Sequence, residues 1–290
     1  METFGLDSEF NLVKLKSKLE FPIDAVLLGG EASIGQDSKG KRNWSVELGI
    51  FTNLNDPGNV MKDHDWFTGT TDVGYFDGKF SYTESKAEMT HTVIAIKGEK
   101  RIASSKKFAL YGYAGYRYQK ISQDIIGYDG WQIDIFNDPS FTKVYGGDDT
   151  VKALLYEVTY KGPFLGVEYD YYFTPSIYIG IEAAAMPTSV SDYDNHLLRK
   201  KDGKAEGTGV GFLSSVFMHL EPWRTGPSTL IFFDIEGELF TARVSTKQVQ
   251  EWYGDDPFSE DDDTGVIIRN IPHDVRSTQF NLGLRIGVTF

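Results

Sequence analysis

Two short acidic runs, each holding a histidine, are the stretches of this chain with the clearest capacity for chemistry: Asp63-His64-Asp65-Trp66 and Ser191-Asp192-Tyr193-Asp194-Asn195-His196. In an extended strand alternate side chains share a face, which pairs Asp63 with Asp65 and sets Asp192, Asp194 and His196 in one row. Carboxylates repeated along a face repel one another, and folding alone gives no reason to put them there. A site is the sharper reading. A metal at Asp63-His64-Asp65 is the weaker one: one histidine with two carboxylates lacks a recognisable partner spacing, and alternation turns His64 to the opposite face. No metal is therefore expected. The run Glu260-Asp261-Asp262-Asp263 reads as a solvated loop, with calcium as the lesser alternative. His91, His219 and His273 read as interfacial or satisfied surface histidines.

Composition bounds what these residues can serve. The 290 residues contain no cysteine, which excludes disulfides and thiolate chemistry. A net charge of −13 disfavours nucleic-acid binding through a broad basic surface and suits cationic substrates, although solubility explains it equally. Thirty Gly, sixteen Tyr, twenty Phe and five Trp favour pleated, half-buried surfaces. No apolar stretch approaches the ~20 residues of a membrane-spanning helix. No secretory signal peptide is visible at Met1-Glu2-Thr3-Phe4-Gly5.

The elements that must position the acids read as strands. Phe280, Leu282, Leu284, Ile286, Val288 and Phe290 alternate with Gln279, Asn281, Gly283, Arg285, Gly287 and Thr289, as in a sheet with one apolar and one wet side. Ile177, Ile179, Ile181, Ala183 and Ala185 likewise oppose Tyr178, Gly180, Glu182 and Ala184. Even parity carried forward puts Asp192, Asp194 and His196 on the wetter side, unless Pro187 resets it with a bulge. Further strand-like runs lie near 12–34, 43–55, 79–98, 106–125, 151–173, 206–221, 228–249 and 264–290, with a short first strand in 2–10 and the run just described over 175–198. Ten strands suit the even-number habit of single-chain outer-membrane barrels. Short connections at 100–105, 173–175 and 222–227 alternate with long polar ones at 55–78, 127–150, 195–206 and 250–265, as short periplasmic turns alternate with long outer loops. Trp44, Tyr171, Tyr172, Phe173 and Trp223 are candidates for interfacial girdles. The expected fold is all-β: one ten-stranded antiparallel transmembrane β-barrel domain over 1–290, with long extracellular loops and both acidic runs at one open rim.

Asp63-His64-Asp65-Trp66 resembles the Asp-x-Asp-Trp segment of the omptins, outer-membrane aspartyl endopeptidases with ten-stranded barrels. Ser191-Asp192-Tyr193-Asp194-Asn195-His196 is similar to their Ser-Asp-x-Asp-x-His segment. Ala25-Val26-Leu27-Leu28-Gly29-Gly30, Tyr160-Lys161-Gly162-Pro163-Phe164-Leu165-Gly166 and the ending Val288-Thr289-Phe290 extend the likeness over roughly 18–290, with a much shorter N-terminal hairpin. The resemblance implies that His196 is a general base held by Asp194, that Asp63 and Asp65 lie opposite, and that the reaction is attack of activated water on a peptide carbonyl. Two such close carboxylates resist joint ionisation, so Asp63 and Asp65 are expected to share a proton.

The same likeness implies that Asp192 binds a basic side chain, although a second pocket acid is not placed here. It also implies a requirement for lipopolysaccharide, with Tyr116 and Lys120 in the corresponding run, Tyr118 where the family has an acid and Thr159 near a family arginine. Expected partners are cationic peptide or protein substrates and outer-membrane lipid, with no nucleic acid, no other cofactor and a monomeric state. The expected location is the bacterial outer membrane, site outward. The competing reading is a non-catalytic barrel acting as an adhesin or binding surface.

Overall fold

The computed structural model describes residues 2–6, 12–38, 41–71, 73–224, 230–257 and 262–289. Thirteen strands form one antiparallel sheet: β1 (Glu2–Leu6), β2 (Leu12–Glu20), β3 (Leu27–Ser38), β4 (Lys41–Asn53), β5 (Met61–Thr71), β6 (Gly74–Ser104), β7 (Phe108–Asp134), β8 (Asp138–Gly146), β9 (Lys152–Thr174), β10 (Ile177–His196), β11 (Lys201–Arg224), β12 (Leu230–Trp252) and β13 (Ile267–Thr289). Its path runs β1-β2-β5-β6-β7-β9-β10-β11-β12-β13. Off that path, β3 pairs with β4, β4 with β6, and β8 with β7.

The strand count departs from the expected ten for local reasons. The run expected over 12–34 breaks at residues 21–26, where Pro22 removes a ladder donor, and so becomes β2 and β3. Residues 54–60, with Pro57 and Gly58, separate β4 from β5 in the same way. β6 spans both levels, pairing first with β5 and further along with β4. Among the described residues no backbone pairing joins β13 to β1 or β3, so hydrogen bonds do not close the expected barrel. Side chains nevertheless meet across its interior. Arg117 of β7 makes a bidentate pair with Glu238 of β12 at 3.0 and 3.1 Å, Gln119 donates to Gln279 of β13 at 2.7 Å, and Arg285 of β13 reaches Glu31 of β3 at 2.6 Å. Such contacts between strands distant in the sheet require it to curl round on itself.

The two faces are inverted relative to a soluble sandwich. Along β13, Phe280, Leu282, Leu284, Ile286 and Val288 are 47–77 % exposed, whereas the interior holds ions and amides. Arg42 pairs inside with Glu99 and Glu168, and Lys97 with Glu182 at 2.6 Å. Beyond these ions lies an aromatic plug in which Tyr113, Tyr160, Phe164, Met186 and Phe240 pack together. Alternation that turns Leu and Ile outward and Arg and Glu inward is the pattern of a lipid-facing wall around a polar lumen.

Several expectations shift in detail. Pro187 interrupts the β9 ladder without moving its register, so the even side of β10, from Ala184 to Asp194, stays inside. Tyr172 faces inward and stacks on Tyr178 at 4.8 Å, so it is no girdle residue, while Tyr171 and Phe173 do face out. Most of 61–71, 74–78, 127–146 and 195–206 lies in strand ladders and short turns in place of long loops. The Trp223 side chain, Phe290, Glu260 and Asp261 lie outside the described residues.

The cross-interior pair supports a direct test. Arg117→Leu leaves the partly buried Glu238 carboxylate without its fork and is expected to cost about 3 kcal/mol in denaturant unfolding. Joining it to Glu238→Leu should recover most of that loss.

Candidate active site

Asp63 and Asp65 project inward from β5, between the buried Met61 and Phe67 that fix the strand's inner face. The β2 ladder sets Ser17 opposite Asp65, and the Ser17 hydroxyl donates to Asp63 Oδ1 at 3.5 Å. His64 points the other way, as alternation requires. It contacts Glu20 at 3.1 Å, accepts from Lys79 at 2.7 Å and stacks on Trp66.

The second lip rises on β10. Asp194 is 3 % exposed; its Oδ2 accepts from Gln248 Nε2 of β12 at 2.6 Å and its Oδ1 lies 3.3 Å from His196 Nε2. Gln248 accepts in turn from Gln250 at 3.0 Å, and Gln250 from the ammonium of Lys201 at 3.5 Å. Gly203 stands opposite Asp194 in the β10–β11 ladder, and a Cβ there would strike both the Asp194 carboxylate and the Gln248 amide. The missing side chain makes room for the acid.

The ladder ends by facing His196 with Lys201 across a 3-10 turn, Leu197–Arg199, closed by Lys200 in the left-handed region at φ 51°. The segment after β12 clamps this turn: Arg199 pairs with the buried Asp256 at 2.9 Å, Tyr253 N–H donates to the Lys200 carbonyl at 2.9 Å, and the Tyr253 hydroxyl donates to Asn195 at 2.9 Å.

The two lips share one electrostatic unit, next to the β10–β11 turn and the start of β5. Burial raises Asp65, while Ser17 and then the charges of Arg199, Lys201 and His196 on the other lip hold it down. Burial and the neighbouring Asp65 push Asp63 up to about 7, against Ser17 and Lys201. Burial also disfavours the Asp194 anion, but His196 and then Lys201 and His273 outweigh it and leave Asp194 below the ordinary value. Asp63 thus holds a proton near neutrality beside a raised Asp65, and the two face an acid that stays ionised, a division that suits acid–base chemistry.

Asp192 lies deeper on the same face, 3 % exposed, with Oδ2 accepting from Tyr156 at 2.8 Å and Oδ1 at 3.1 Å from His273 Nε2. Phe21 stacks on Tyr156 at 3.6 Å and covers it. Tyr116 and Lys120 stand apart from this group on the outer wall of β7, Tyr116 44 % exposed and Lys120 paired with Glu157 of β9 at 2.7 Å. The structure therefore gathers Asp63, Asp65, Asp192, Asp194 and His196, and separates Tyr116 and Lys120 from them.

Sequence reading missed Ser17, Lys201, Gln248, Gln250 and the role of His273, expected to be an interfacial or satisfied surface histidine. These lie on β2, β11, β12 and β13, and their membership depends on register. Lys201 alone carried a signal, being five residues past His196, and it was hidden by reading 195–206 as a long loop.

Because Asp63 titrates near pH 7, infrared difference spectra should show a carboxyl protonated below about that pH and ionised above it. The band should be absent in Asp63→Asn.

No family model matches the sequence, and no curated protein does. A solved structure does: the crystal structure of outer membrane protease OmpT from Escherichia coli, at a TM-score of 0.68 and 14 % identity, covering 97 % of this chain and 87 % of that one. At that identity the likeness establishes architecture. The chain has an omptin-like fold.

Proposed function

We propose that this chain is an outer-membrane endopeptidase of omptin type, which hydrolyses peptide bonds with a water held between its two acidic lips. What supports the reading is that the charges of Arg199, Lys201 and His196 on one lip act on Asp65 on the other. Residues remote in sequence act there on one another.

In this mechanism a water lies between His196 and the Asp63/Asp65 pair. As its oxygen bonds to the peptide carbonyl carbon, His196 takes a proton, and Asp194, fixed by Gln248, favours the imidazolium that results. The proton held by the Asp63/Asp65 pair faces the developing tetrahedral oxygen. Collapse breaks the C–N bond, and the departing amine takes the proton from His196. No covalent intermediate is required. A net charge of −13 and the row of acids favour cationic peptides. Asp192, one strand repeat below Asp194, is the acid for a basic substrate side chain, which would compete with Tyr156 and His273 for its oxygens.

The exposed apolar wall fits outer-membrane lipid, with the rim outward and the ten-strand path acting as a barrel. Tyr116 and Lys120 on that wall are the proposed lipopolysaccharide contacts, and a monomer is the proposed working unit.

Refolded protein with lipopolysaccharide should cut a basic peptide library, and His196→Ala or Asp194→Asn should reduce kcat/KM by roughly 10²–10⁴-fold with the fold retained. Binding of the library without any cleavage by the unsubstituted protein would instead make the rim a docking surface. Omitting lipopolysaccharide should lower activity, and Tyr116→Ala with Lys120→Ala should raise the lipid concentration needed to restore it.

A further inference from the structure

The most heavily enclosed cation at the rim is Lys201, and the mechanism above does not use it. Its residue is 9 % exposed, at the first position of β11, where the ladder places it directly across from His196 on one side and Trp252 on the other. Cross-strand partners sit within about 5 Å at Cβ, so the ammonium shares the inner face with the His196 ring. It donates to Gln250 at 3.5 Å and lies 5.2 Å from the centre of the Trp252 ring. Gln250 continues through Gln248 to Asp194, which closes a polar loop from Lys201 to the acid that His196 contacts.

Among the described residues, the charged groups that act on Lys201 come from the two lips and the segment after β12. Asp63 and Asp65 face it from β5, Asp194 and His196 from β10, Arg199 from the turn and Asp256 from the segment after β12. Two of its carboxylates lie on the lip opposite Asp194, so a single ammonium serves both sides. Asp194 is buried and Asp63 and Asp65 are half-buried, so the three repel one another around the opening, and a shared cation is the physical means of holding them together.

The geometry points to Lys201 as a positioning residue of this site: the common counter-ion of Asp63, Asp65 and Asp194, whose charge keeps the two lips in one working arrangement. Burial and the nearby Arg199 lower this amine to about 8, against the pull of Asp194, Asp256 and Asp65. Its charge is therefore complete in mildly acid and neutral solution and disappears as the pH rises through about 8. Without it Asp63, Asp65 and Asp194 lose the one cation that acts on all three, and the lips lose that shared attraction.

Two measurements test this. The kinetic one rests on the peptidase reading: the alkaline limb of kcat/KM should fall near pH 8, and Lys201→Arg, which keeps its charge, should move that limb up by about one pH unit or more. Lys201→Met should lower kcat by at least roughly tenfold and shift the acid limb to higher pH, because removing the cation makes the carboxylates harder to ionise. A Lys201→Met enzyme with the unsubstituted pH profile would overturn the inference.

The second measurement is independent of cleavage. Lysines of the folded protein are ¹³C-methylated and titrated by NMR in micelles. One resonance should titrate near pH 8, be missing from Lys201→Arg, and move lower in Asp63→Asn or Asp65→Asn as anions are withdrawn. If every lysine titrates at about 10 or above, the assignment of Lys201 fails whatever the enzyme does. If the resonance behaves as stated while no peptide is cut, the peptidase reading fails and the counter-ion stands.

Discussion

Strict alternation across an inside-out sheet is the constraint on which everything else depends. Once Phe280, Leu282 and Leu284 are committed to the outer face, the side chains between them must enter the interior, whatever their polarity. The interior then fills with ions that need partners: Arg42 with Glu99 and Glu168, Lys97 with Glu182, and Arg285 with Glu31. Arg42–Glu168, Lys97–Glu182 and Arg285–Glu31 span the lumen and tie together strands that share no ladder. They do the work of closure where backbone hydrogen bonds between β13 and β3 are absent among the described residues.

The same alternation delivers the site. β10 carries Ala184, Met186, Thr188 and Val190 into the aromatic plug and then, without a change of parity, Asp192, Asp194 and His196 into the opening above it. The apolar plug supplies the low dielectric beneath; the acids at its upper surface feel burial strongly, which is why Asp63 holds its proton near neutrality. Cations at the rim set the opposite tendency. Whether an acid rises or falls depends on which influence is stronger at its position, and Asp194, against His196, falls.

The rim is stiff for a reason that its polarity conceals. Sequence windows rich in Asp, Gly and Ser read as long loops, yet the β10–β11 ladder runs to its last pair, and the β5–β6 ladder carries Asp63 and Asp65 on paired backbone. Ladder hydrogen bonds fix each acid to its neighbours more tightly than a loop could. The clamp of Arg199 on Asp256 and of Tyr253 on Asn195 and Lys200 then holds the turn that separates His196 from Lys201.

The sequence by itself determined the strands with strong alternation, the outward face of β13, the inward parity of Asp194 and His196, and the two motifs whose spacing resembles the omptins. Those are properties of neighbours along one strand, and a period of two is visible in any linear string. Tertiary structure decided which residues stand between the motifs. Ser17, Gln248 and Lys201 come from three other strands, and a one-residue slip in any ladder would turn them outward. Register is set by pairing over the whole length of each strand and by where Pro22 and Pro57 interrupt it. No local pattern therefore reveals that Gln248 meets Asp194, or that one lysine answers to acids on both lips.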